Sequence, residues 1–103
     1  MKRTINRLTY NTETATKVAD WDNELGYGDF NSLSEDLFIT KKGNWFVEYQ
    51  GGANTKYAKS NGNLSYGTSG IIASSPEEAY DWLERHEQEE AIEKYFSEII
   101  EEA

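Results

Sequence analysis

The chain has 103 residues, with 19 acidic and 10 basic side chains, a formal net charge of −9, one Pro, one His and no Cys. That length supports one small domain with a modest core. The lack of Cys excludes disulfides, thiolate nucleophiles, Cys-based zinc sites and iron–sulfur clusters, and a single His excludes any site that needs two. No apolar run approaches the ~18 residues of a membrane-spanning helix. The basic start, Met1-Lys2-Arg3, has no apolar run behind it, so no signal peptide is expected.

Thr4-Ile5 and Leu8-Thr9-Tyr10 are rich in strand formers, and Asn6-Arg7 between them suits a tight turn. The next stretch has Asn11 or Thr12 as a helix cap and Ala15, Val18, Ala19 and Trp21 at helical spacing. This predicts a short helix over residues 13–22, held by packing because its threonines favour extended backbone. Asn23 to Ser34 reads as a loop, ordered through Leu25, Tyr27, Phe30 and Leu33.

The clearest local signal runs from Asp36 to Gln50, where two strand-forming runs flank a Lys-Gly-Asn turn. Leu37 and Ile39 on one strand, with Trp45, Val47 and Tyr49 on the other, have the period-2 spacing of one buried face. Phe38 and Phe46 point the other way, so the second face also needs a cover, from a helix or a partner. The turn-rich stretch 51–63 follows, and then Leu64–Tyr66 and Gly70–Ala73 as two further short strands. The outcome is an antiparallel sheet of three to four or more strands.

Ser75-Pro76-Glu77-Glu78 is a helix start, with Ser75 as N-cap, Pro76 at the first helical position and Glu78 completing a capping box. Residues 1–76 hold 8 acidic and 8 basic side chains, and residues 77–103 hold 11 acidic against Arg85 and Lys94, so the whole −9 belongs to this C-terminal segment. Ala79, Trp82 and Leu83 form one apolar stripe, and Ala91, Ile92, Tyr95, Phe96, Ile99 and Ile100 form a second. At 100° per residue the two stripes point roughly 120–140° apart, which one straight helix cannot bury against one sheet. Two solutions stay open: a break near 85–89 with packing inside the chain, or a partner or homodimer at Ile92, Tyr95, Phe96 and Ile99.

Patterns for chemistry are sparse. His86 has no nucleophile or orienting group in any recognisable spacing and reads as a histidine at the surface or at a helix break. Asp20-Trp21-Asp22-Asn23-Glu24 lacks the glycine and closing glutamate of a calcium loop. Gly51-Gly52 and Gly67-Thr68-Ser69-Gly70 match no phosphate-binding spacing and read as turns and close-packing points. Lys41, Lys42, Lys56 and Lys59 with Trp45, Tyr49 and Tyr57 form the single basic–aromatic grouping, a weak stacking platform for single strands that the overall acidity argues against.

Three stretches, Thr9 to Ala15, Leu37 to Tyr57 (LFITKKGNWFVEYQGGANTKY) and Ile71 to His86 (IIASSPEEAYDWLERH), resemble small acidic uncharacterised proteins of phages, plasmids and other mobile elements of Gram-positive bacteria. Some such proteins act as anti-CRISPR or other anti-defence factors. The resemblance implies a role in the cytoplasm of a bacterial host cell, and it carries over no catalytic residue.

The expectation is therefore a single α+β domain: an antiparallel sheet with a short N-terminal helix and a longer acidic C-terminal helical segment over 77–103. Its expected function is that of a non-enzymatic protein-binding inhibitor without cofactor or metal. Glu77, Asp81, Glu84, Glu87 and Glu90 would meet a basic, nucleic-acid-binding surface of a protein such as a host defence nuclease or its complex, with carboxylates set at phosphate-like intervals. Direct nucleic acid binding and membrane association are not expected. The alternative is a structural or regulatory homodimer assembled through Ile92, Tyr95, Phe96 and Ile99.

Overall fold

The structure, a computed structural model, describes residues 1–26 and 28–103. Eight strands precede two helices: β1 (Lys2–Ile5), β2 (Leu8–Asn11), β3 (Thr16–Asp22), β4 (Leu33–Ile39), β5 (Trp45–Gly51), β6 (Lys59–Asn61), β7 (Leu64–Tyr66), β8 (Thr68–Ser74), α1 (Pro76–Arg85) and α2 (Glu89–Phe96). The main sheet has the order β3-β4-β5-β8, all antiparallel, while β1-β2 and β6-β7 are separate two-stranded ribbons.

The predicted helix over 13–22 does not form. A turn organised by Asn11 takes its place, with the Asn11 side-chain oxygen accepting from the Glu13 N–H (2.9 Å) and its carbonyl accepting from the Ala15 N–H (3.0 Å), and Thr16–Asp22 then runs as the β3 edge of the sheet. The β-branched residues Thr16 and Val18 suit extended backbone. A bulge between Lys17 and Ala19 resets the register, so that Ala19 faces Leu37 and Trp21 faces Glu35. The helical spacing of Ala15, Val18 and Ala19 was coincidental with a bulged strand. Both helices of this α+β fold lie at the C-terminal end of the chain.

The β4–β5 register pairs Leu37 with Val47, Phe38 with Phe46 and Ile39 with Trp45, so alternate residues go to opposite faces. One face carries Leu37, Trp45 and Val47 into a core with Ala79, Trp82, Leu83 and Ile92 of the helices. The other carries Phe38, Phe46 and Ile71 against Tyr10 of the β1–β2 ribbon, with Tyr10 edge-on to Phe46 at 5.4 Å. The cover of the second face is thus a hairpin of the same chain. Its turn, Asn6-Arg7, has both φ positive (50° and 71°), the geometry that matches strand twist in a two-residue hairpin. Arg3 then reaches the β8 edge, donating from Nη1 to the Ile71 carbonyl at 2.8 Å.

The segment before β4 departs from its expected loop. Leu33 and Ser34 already belong to β4, and Leu25 and Phe30 are exposed rather than anchoring. Polar contacts hold it instead: Asn23 donates to the Asn31 carbonyl (2.7 Å) and accepts from the Leu33 N–H (3.1 Å). Tyr27, another anchor suggested by the sequence, lies outside the described residues. Gly52 packs so closely that a Cβ there would meet the Phe30 carbonyl oxygen at 2.5 Å.

α1 begins as its sequence dictates, with Ser75 Oγ accepting from the Glu78 N–H (3.1 Å) and Glu78 accepting from the Ser75 N–H (2.9 Å). It ends at His86 in a paired carbonyl cap: Gln88 N–H bonds the Leu83 carbonyl (2.9 Å) and Glu87 N–H bonds that of Glu84 (3.2 Å). This cap needs a left-handed residue after the helix, and Glu87 takes it with φ of 56°. The chain turns there and α2 lays the second apolar stripe on the same core as the first. Tyr95 and Phe96 both reach Trp45 at 5.4 Å, and Ile92 is buried.

Candidate functional site

Two regions of the fold hold charge in ways that require explanation. The first is internal. Glu35 of β4 is 3% exposed, the one buried charged side chain among the described residues. Its Oε1 accepts from Trp82 Nε1 of α1 at 2.8 Å, and its Oε2 accepts from the Tyr57 hydroxyl and pairs with Lys56 Nζ at 2.8 Å. β4, α1 and the loop after β5 are therefore tied through one carboxylate. Burial pushes the Glu35 carboxyl up, but the donors Lys56, Tyr57 and Trp82 outweigh it and hold it below the ordinary carboxylate value. Burial and the Glu35 charge push the Tyr57 phenol well above its usual value. Tyr49 stacks on Tyr57 at 4.0 Å and completes the wall.

His86 adjoins this group. It lies between Trp21, stacked at 4.6 Å, and Trp82, edge-on at 4.5 Å. Its Nε2 is buried without a hydrogen-bond partner, 3.9 Å from Glu35 Oε1. Burial and the neighbouring Arg85 push His86 down from its ordinary value, against the pull of Glu35. An imidazole between two indoles is a packing element, and of the two places its sequence allowed, the surface or a helix break, His86 occupies the break. Gln88 strengthens the same junction by donating to the Asp20 carbonyl of β3 at 3.2 Å.

Chemically, this cluster is a clamp. Both Glu35 oxygens are occupied by donors, and a carboxylate held ionised is not a general acid near neutral pH. The cleft over it, lined by Lys56, Tyr57, Ile72, Trp82 and Arg85, encloses about 120 Å³. Among the described residues no group of three or more His, Asp or Glu side chains is placed to hold a metal ion. Among them too, no helix is long and apolar enough to cross a membrane.

Sequence reasoning missed Glu35, and it placed His86 at the surface or a helix break without its burial; each had a signal. Extending the Leu37–Ile39 alternation back by one step puts Glu35 on the inner face. Ala79, Trp82, Leu83 and His86 continue one helical stripe at i, i+3, i+4 and i+7.

The second region is external. Glu77, Asp81 and Glu84 follow i, i+4, i+7 spacing on α1, so they share one side of it. Glu87 sits in the turn and Glu90 in the first turn of α2. All five are exposed, as are the other six carboxylates of residues 77–103. Among the described residues none of the eleven is in a salt bridge. Of the second apolar stripe, Ile92, Tyr95 and Phe96 are engaged within their own chain, while Ile99 is 66% exposed.

The basic–aromatic grouping is divided. Lys41 and Lys42 lie in the β4–β5 turn, and Lys56 and Tyr57 lie past the far end of β5, roughly 20 Å along the strand. Trp45 is buried in the helix-side core, and Lys56 is spent on Glu35.

The chain matches no protein-family model, no curated protein and no solved structure.

Proposed function

We propose that this chain is a non-enzymatic protein-binding module whose acidic helical face docks on a basic surface of another protein, in the manner of an inhibitor that occludes a nucleic-acid-binding site. The observation that carries this reading is the exposed set Glu77, Asp81, Glu84, Glu87 and Glu90, without a salt bridge among the described residues. Glu78 serves the fold through its capping box, but among the described residues none of the eleven carboxylates on these 27 residues is in a salt bridge, and their like charges repel one another. Glu87 adds support, since its left-handed backbone favours glycine yet carries an acid. The buried carboxylate, Glu35, is occupied by the clamp around it.

A host defence nuclease or its complex, in the cytoplasm of a bacterial cell, has the kind of basic surface this face suits. An anti-defence role of the anti-CRISPR type is the specific form of the proposal. Capture of the tagged chain from such a host, with mass spectrometry of what it retains, identifies the partner. Reversal of Glu84, Glu87 and Glu90 to Lys then slows association by about tenfold or more and flattens its salt dependence. An association rate unchanged by the three reversals overturns the electrostatic reading.

The homodimer through the C-terminal stripe is the second reading, favoured by one observation, the exposure of Ile99. A monomer by light scattering removes it.

A further inference from the structure

We propose that the groove between the N-terminal half of α1 and the segment leaving α2 receives a basic amphipathic segment of the partner, one bulky apolar side chain seated on Ile99, Phe96 and Tyr80 with lysine or arginine side chains over Glu77 and Asp81. The inference rests on the reading of the acidic helices as a docking face, and it names the chemistry of the docked segment.

The groove encloses about 560 Å³ and is lined by Pro76, Glu77, Tyr80, Asp81, Phe96 and Ile99. That is within the ~300–1,000 Å³ of concave sites that bury a ligand. Four largely apolar side chains and two carboxylates line it, with no basic side chain among them. The walls are already fixed: Tyr80 meets Phe96 edge-on at 5.4 Å, and Phe96 stacks on the buried Trp45 at 5.4 Å. An occupant therefore finds a formed surface and does not have to order it. Ile99 remains 66% exposed beside these rings, so the fold does not use it for its own core.

Charge selects the occupant. Glu77 and Asp81 lie one helical turn apart on α1 and offer two carboxylates beside these apolar side chains. A second copy related by a two-fold axis through the groove would bring these carboxylates against their own equivalents. A segment with cations flanking a large apolar residue neutralises them and covers Ile99 in one step. The cleft over Glu35 offers no such opening, because Lys56 already fills the cation position there.

The test uses fluorescence anisotropy with two labelled probes of equal charge, a helical leucine–lysine peptide and an oligolysine. Wild type is expected to bind the leucine–lysine peptide about tenfold more tightly than oligolysine, the factor that burial of one large apolar side chain supplies. Ile99→Gln removes that excess and leaves oligolysine binding as it was. The pair Glu77→Gln and Asp81→Gln weakens binding of both probes. Circular dichroism and thermal melts establish that the variants fold, and Ile99 is exposed enough for that to be the expected result. Equal binding of the two probes, unaffected by Ile99→Gln but weakened by reversal of Glu84, Glu87 and Glu90, overturns the groove and leaves the acidic docking face standing. Binding of neither probe overturns the groove, and if the reversals also leave the captured partner's association unchanged, the docking face falls with it. Self-association that Ile99→Gln abolishes assigns the groove to a second copy and overturns the proposal.

Discussion

Removing a carboxylate from water costs several kcal/mol unless its charge and lone pairs find partners, and Glu35, 3% exposed, has found three donors. Its loss therefore does more than delete a contact. Glu35→Ala leaves Trp82 Nε1–H and the Tyr57 hydroxyl without an acceptor beside a new void. The expected loss is about 3–5 kcal/mol of unfolding free energy in urea titrations. Glu35→Gln keeps an acceptor and the volume, and is expected to cost less, about 1–3 kcal/mol. Equal stability of Glu35→Ala and wild type would mean that the clamp is idle. Reading this residue from sequence was difficult because a charged side chain ordinarily marks the outward face of a strand. Its partners, at positions 56, 57 and 82, are remote in the chain and become neighbours only when the sheet and α1 assemble.

Among the elements, the β4–β5 hairpin and the start of α1 depend on signals a few residues apart. Alternation and turn chemistry specify the first, and Ser75, Pro76 and Glu78 specify the second, so both were legible. β3 was not, because Thr16–Asp22 is short and carries apolar residues compatible with either period. What makes it a strand is its neighbour: β4 offers an open edge, and Trp21 gains a stacking partner in His86, 65 positions later. The break between α1 and α2 makes its own prediction. Glu87 holds a φ of 56°, which costs a residue with a Cβ about 1 kcal/mol relative to glycine. Glu87→Gly should raise stability by about that amount in urea or thermal unfolding. A neutral or destabilising outcome would mean that the Glu87 side chain compensates the strain.

For the molecule as a whole, burial of titratable groups shapes stability against pH. His86 is pushed below its ordinary value of 6.5 in the fold, so the unfolded chain binds more protons. Its contribution is full above pH 6.5 and declines as the pH falls below it. Glu35 is held below its ordinary 4.5 in the fold, and its contribution is lost at lower pH, as it falls through the folded value. Tyr57 is shifted upward, so the unfolded chain ionises first and stability falls above pH 10. The expected profile is a plateau between about pH 6.5 and 10 with a two-stage decline in acid. Stability measured by chemical denaturation across this range checks it. His86→Phe, which retains an aromatic ring between the tryptophans, should remove the first acid stage and spare the second. Persistence of the first stage in that variant would assign it to another group.

The division of charge along the chain, the capped start of α1, the two-faced hairpin and the misalignment of the two apolar stripes all follow from the sequence alone, because composition and residue spacing set them, whereas the choice between a bend and a partner was left to the tertiary structure. Only the tertiary structure decided that residues 16–22 join the sheet as an edge strand, that the β1–β2 ribbon covers the second face, and that Glu35, Tyr57, Trp82 and His86 meet. Those outcomes depend on which surfaces remain to be buried once the central strands pair, and burial is a property of the assembled chain.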